Sequence, residues 1–108
     1  MQAKVLAIAL AIASGSYQAG AQEAGDPAKG LQYASQVCAQ CHAIRKGVET
    51  SPNALAPSFE TIANSPGMTG ISLAATLHSV HENMPSFVLR PHERANVIAY
   101  ILSLKHDR

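Results

Sequence analysis

A chain of 108 residues, 47% of them hydrophobic, has room for one small domain and no more. Eight Lys and Arg against seven Asp and Glu give a formal charge of +1, without charge runs or a basic patch, so neither nucleic-acid binding nor a charged tail is indicated. With no Trp, two Phe and three Tyr, the chain is poor in large core side chains, and so small a domain is marginal on its own.

Lys4 is the only charge near the start, residues 5–13 are an unbroken aliphatic run, and Ala19-Gly20-Ala21 offers an A-x-A site. This layout predicts a secretory signal peptide over residues 1–21, cleaved after Ala21, and a mature domain of residues 22–108. The alternative is an uncleaved anchor, but the run is too short to cross a bilayer comfortably, and no other stretch could span one. Losing Lys4 leaves seven basic and seven acidic side chains, a net charge of zero.

Residues 22–25 read as a loose lead-in. Asp26-Pro27 then opens the first helix, Asp as N-cap and Pro at the first helical position. Leu31, Ala34, Val37 and Cys38 fall on one face, so the helix is predicted to run to about Cys38–Cys41. Gly30 inside it costs about 1 kcal/mol relative to Ala, and close approach of another helix is the natural reason for it.

Cys38-Ala39-Gln40-Cys41-His42 is the most informative stretch. Thiols at i and i+3 of a helical turn point the same way and can reach two neighbouring substituents on one porphyrin edge. His42 can then swing its imidazole to the iron, which is why C-x-x-C-H reads as covalent haem attachment. Three other readings are weaker. A thioredoxin-like redox pair wants a βαβ context, and no clear strand is present. A zinc site needs a fourth ligand, and His78 and His81 are far down the chain and closer together than the usual H-x₃₋₅-H. A disulfide between cysteines three apart closes too small a loop to gain much entropy. A covalent haem would also supply the apolar filler and the cross-link that the composition lacks.

Residues 45–57 read as loop. Ser58 caps a short helix from Phe59 to Ala63 or Asn64, with Phe59 and Ile62 inward and Pro66-Gly67 ending it. A third helix starts at Gly70-Ile71-Ser72, carries Leu73, Leu77 and Val80 as a core stripe, and is predicted to stop near Asn83, before Pro85. Residues 84–90 are an extended loop. Pro91 opens the last helix, with Glu93 in its first turn and Val97, Ile98, Ile101 and Leu102 on its apolar face. Lys105 and Arg108 suit the negative end of its dipole.

A second axial ligand would decide the chemistry of a haem iron. The candidates are Met68, Met84, His78, His81, His92 and His106. Met84 is the strongest, because an inter-helix loop can lay its thioether against the ring and Pro85 stiffens the backbone carrying it. Met68 precedes a helix that would have to pack first and reads as core filler. His78 and His81 read as flanks of the third helix, and His92 and His106 as solvated helix ends.

Taken together, the C-A-Q-C-H site near the mature N-terminus, the M-P-x-F stretch Met84-Pro85-Ser86-Phe87 and the closing helix from Glu93 to Ile101 resemble the class I c-type cytochromes. The resemblance covers nearly the whole mature chain. It implies an all-α fold, about four helices wrapped around one covalently attached haem c. It implies Cys38 and Cys41 as thioether anchors, His42 as proximal and Met84 as distal ligand. Pro57, in Ala56-Pro57-Ser58-Phe59, matches the loop proline whose carbonyl accepts the proximal imidazole N–H. Gly30 would let Tyr100 pack closely on the first helix.

In one respect the chain departs from the pattern. Many members carry an aromatic four residues before the first cysteine, where this chain has Ala34, with Tyr33 beside it. The helix contact is therefore expected to be smaller or rotated. The loop between His42 and Met84 is short, so one haem edge should be exposed.

The implied function is electron transfer rather than enzymatic catalysis, by a periplasmic monomer docking transiently with a donor and an acceptor protein. His/Met ligation raises the reduction potential, and burial by Phe59, Leu73, Leu77 and Phe87 would raise it further. A haem-c subunit of a larger dehydrogenase shares all these motifs. An open-site haem sensor or peroxidase is the other rival. Its four-helix-bundle representatives carry the attachment motif near the C-terminus, not, as here, near the mature N-terminus.

Overall fold

The computed structural model describes residues 2–3, 24–79, 84–85 and 89–107. These contain no strand; they form α1 (Pro27–Gln36), a single 3₁₀ turn (Cys38–Gln40), α2 (Phe59–Ala63), α3 (Gly70–His78) and α4 (Pro91–Ser103). The all-α expectation holds. Nearly all of the predicted signal peptide, and the expectations placed on Val80, His81, Asn83, Ser86, Phe87 and Arg108, lie outside the described residues.

The helix starts follow the capping chemistry. Asp26 Oδ1 accepts the N–H groups of Ala28 (2.9 Å) and Lys29 (3.4 Å), with Pro27 at the first position. Ser58 Oγ accepts from Thr61 N at 3.1 Å. Thr69 and Ser72 form a reciprocal capping box at the head of α3, 3.2 Å and 2.8 Å. Glu93 reaches back to the N–H of Arg90 at 3.1 Å.

Two helix ends differ from expectation. The α-helical part of α1 stops at Gln36, not at Cys38–Cys41; Val37 closes it, donating to Tyr33 O at 3.0 Å, and the chain tightens into the 3₁₀ turn. Such tightening is common at helix C-termini, and at 3.0 residues per turn it eclipses i and i+3. α3 ends at His78 rather than near Asn83. Ser79 is already extended (φ −106°, ψ 153°), and its hydroxyl donates to Ala75 O at 2.9 Å, a side-chain bond that competes with helix continuation.

The most extensive helix pairing is α1 against α4. Gly30 makes it possible: a Cβ there would collide with the Asn96 carbonyl oxygen and sit 2.8 Å from Tyr100 Cβ. A Cβ at Gly25 would strike the Ala95 carbonyl in the same way. Asn96 also accepts the Asp26 N–H at 2.8 Å through Oδ1, tying the head of α1 to α4. With Ala34 completely buried, the crossing is close rather than slack. Phe59, Ala63, Leu73, Val97 and Ile101 complete the core around this seam. Beyond α4, Lys105 donates to Met68 O at 2.6 Å, Asn64 Nδ2 to Leu104 O at 3.2 Å, and His106 N to Asn64 Oδ1 at 2.8 Å. The C-terminal residues are thereby sewn to the turn after α2.

Candidate haem-binding site

The core is incomplete on one side. A cleft of about 460 Å³ opens there, bordered by Cys38, Cys41 and His42, by Leu73 and Leu77 of α3, and by Val97 and Ile101 of α4. That volume falls within the ~300–1,000 Å³ typical of small-molecule and cofactor sites.

The 3₁₀ turn sets the attachment motif. Cys41 N and His42 N both donate to Cys38 O, at 3.1 Å and 2.9 Å. The tight turn brings the two thiols onto one side, and both are free. Burial pushes the Cys38 thiol up to about 11, so it stays protonated at neutral pH. Among the described residues no three His, Cys, Asp or Glu side chains are grouped to hold a metal ion. The thiols and the imidazole thus do not converge on one point as a zinc site demands.

The residues after the motif are pinned at each step. Asn53 N donates to Cys41 O (3.1 Å), Ala43 N to Ser51 Oγ (2.9 Å), and Phe59 N to Ala43 O (2.8 Å). Tyr100 Oη donates to Ile44 O at 2.6 Å in the core. Burial raises the Tyr100 phenol above its ordinary value, so it remains a donor through the neutral range. His42 is therefore held by its neighbours on a fixed backbone. Its Nδ1 lies 2.6 Å from Pro57 O, which makes Nδ1–H the donor and leaves the Nε2 lone pair for a metal. The Phe59 ring packs 5.5 Å from the imidazole, tilted 50°.

Met84 borders the same cleft, and so does Met68. The Met68 sulfur accepts a hydrogen bond from Ser72 Oγ at 3.3 Å, and its side chain packs on the core. His78 also borders the cleft, where Arg94 Nη1 donates to its Nδ1 at 3.2 Å. His92 is exposed. His106 pairs with Glu60 at 2.8 Å, away from the cleft. Tyr33, Asn53 and Leu55 are cleft residues that sequence reasoning did not single out. For Tyr33 the signal was its i, i+4 relation to Val37, which also faces the cleft. No local pattern marks Leu55.

An apolar cleft with two free thiols at its wall and an imidazole whose inner nitrogen is fixed by a carbonyl fits a covalently held porphyrin. A comparison with known proteins decides the family. The chain is 37% identical to cytochrome c-552 of Bradyrhizobium diazoefficiens over 100 residues, 93% of this chain and 92% of the relative. The chain belongs to the c-type cytochromes. No family model and no solved structure matches it. The cofactor of this cytochrome is covalently bound haem c, and its helical fold without strands among the described residues is that of the class I members. Among the described residues, no helix is long and apolar enough to cross a membrane.

Proposed function

We propose that this cytochrome is a mono-haem electron carrier whose haem is attached through thioether bonds to Cys38 and Cys41, with His42 and Met84 as axial ligands. The observation that carries the reading is the meeting of these four side chains on one cleft, together with the 2.6 Å contact between His42 Nδ1 and Pro57 O. Haem c held in this way supplies a one-electron ferric/ferrous couple. The residues around it set how that couple behaves. The Pro57 carbonyl orients the His42 ring and increases its basicity. Phe59, Leu73, Leu77 and Val97 exclude water and disfavour the ferric charge, favouring a higher potential. With His42 and Met84 both holding the iron, no position would be left for a substrate, and the protein would act as a carrier rather than an enzyme.

Donor and acceptor proteins would dock briefly over a small interface at the mouth of the cleft. The apolar, Lys4-led N-terminus supports export of the chain to the periplasm, with residues 1–21 removed and residues 22–108 acting as a monomer. The test is the ferric absorption spectrum of the holoprotein before and after Met84→Ala. Loss of the methionine-to-iron charge-transfer band, with a fall in potential and rapid binding of cyanide, is the expected result. A band that survives the substitution refutes Met84 as ligand, and a low-spin spectrum lacking it in the unmodified protein points to a histidine.

A further inference from the structure

Two of the described histidines border the cleft, His42 and His78, and their hydrogen bonds hold them as opposite tautomers. At His42, Nδ1 meets a carbonyl oxygen, which only accepts, so Nδ1 carries the hydrogen and Nε2 keeps its lone pair. At His78, Nδ1 meets Nη1 of Arg94 at 3.2 Å. A guanidinium only donates and stays charged, so here Nδ1 accepts and Nε2 carries the hydrogen. An imidazole bonded in this way has no lone pair left for a metal.

Both partners are set by the helices. His78 is the last residue of α3, six residues before Met84, and the chain is already extended at Ser79. Arg94 is half-buried near the start of α4, one turn before the buried Val97 of the cleft wall. Met68, the second thioether at the cleft besides Met84, also has its sulfur engaged, by Ser72 Oγ at 3.3 Å.

We propose that Arg94 is a positioning residue that keeps His78 off the iron and so reserves the distal place for Met84. The proposal rests on the reading that Met84 is the distal ligand. Imidazole is a general ligand for iron and a thioether a softer one, so a histidine bordering the same cleft is a competitor for the ferric state. A histidine in place of methionine would lower the potential, because methionine ligation is what raises it.

The test reads the ferric holoprotein by absorption and frozen-solution EPR, and its potential by redox titration. Arg94→Leu removes the donor. The ratio of histidine-bound to methionine-bound protein should then rise about tenfold, the scale of one hydrogen bond to a charged group. The methionine-to-iron band should weaken in proportion, and the potential should fall. Arg94→Lys keeps a donor and should return most of the band. Arg94→Leu combined with His78→Phe should restore band and potential together, which a mere loss of packing at Arg94 would not allow. The proposal is overturned by an unchanged spectrum in Arg94→Leu. It is equally overturned by a changed spectrum that persists with His78→Phe, which would assign the new ligand to another histidine or leave Arg94 a purely structural role. If Arg94→Leu does not take up haem, the His78 ring decides. Heteronuclear NMR of the unmodified ferrous protein should show hydrogen on Nε2 only, and hydrogen on Nδ1 overturns the proposal. An error in the Met84 assignment shows separately, because the unmodified protein would then lack the band before any change at Arg94.

Discussion

The α1–α4 crossing and the His42 wall solve the same problem, fixing two chain segments against each other, by different physics. At the crossing, backbone meets backbone, and the contact exists because Gly30 and Gly25 have no side chain to prevent it. At the His42 wall, short segments between residues 41 and 59 are joined by hydrogen bonds, most of them from main-chain groups. A steric seam fails all at once when an atom is added. A hydrogen-bonded wall loses its members one at a time.

Gly30→Val tests the seam most severely. Over-packing a core usually costs about 1–3 kcal/mol. Here the obstructing atom is a carbonyl oxygen of α4, which cannot rotate away, so the loss should lie above that range. Denaturant unfolding of the holoprotein measures it, and an unchanged midpoint would show that the crossing is not as close as described. Tyr100→Phe probes the place where the two regions join. It keeps the ring beside Phe59, 6.3 Å between centroids, and orphans the Ile44 carbonyl. A loss of about 1–2 kcal/mol is expected, seen as a lower denaturation midpoint with little change in the spectrum.

The smallest effect is the pH response of Glu60. His106 bonded to its carboxylate, and then the Gly47 N–H at 2.7 Å, hold its titration below the ordinary value of 4.5. Between the folded and unfolded values the unfolded chain binds more protons, so this contribution is present above about 4.5 and fades as the pH falls through the depressed folded value. Glu60→Gln should therefore lower the melting temperature slightly at neutral pH, and the difference from the unmodified protein should vanish in acid. A difference that persists in acid would mean the carboxylate charge is not what matters.

What is legible in the sequence is what acts over a short sequence distance. The caps at Asp26 and Ser58, the helix-opening Pro91 and the C-x-x-C-H spacing are local, and each helix start appears in the fold where the residues imply it. The end of α3 is not legible in the sequence, because the Leu73, Leu77, Val80 spacing continues past the point where Ser79 turns its hydroxyl back onto Ala75. Periodicity records burial and not competition from a side chain. The end of α1 is hidden for a related reason: the helical spacing of Cys38 also satisfies a 3₁₀ turn. The His42–Pro57 contact, in contrast, was legible only through family resemblance, since nothing in the spacing of fifteen residues requires it.

By itself, the sequence determined the helix starts, the thiol pair with its histidine, and the need for a large apolar group to complete a core short of aromatic residues. The tertiary structure alone decided that Asn96 is the atom-level reason for Gly30, that Tyr100 braces the backbone beyond His42, that Met68 shares the cleft with Met84, and that Leu55 stands in solvent at its rim. The division is physical. Caps and motifs act over a few residues, whereas a contact such as Tyr100 to Ile44 joins groups 56 residues apart and exists only once the helices have crossed.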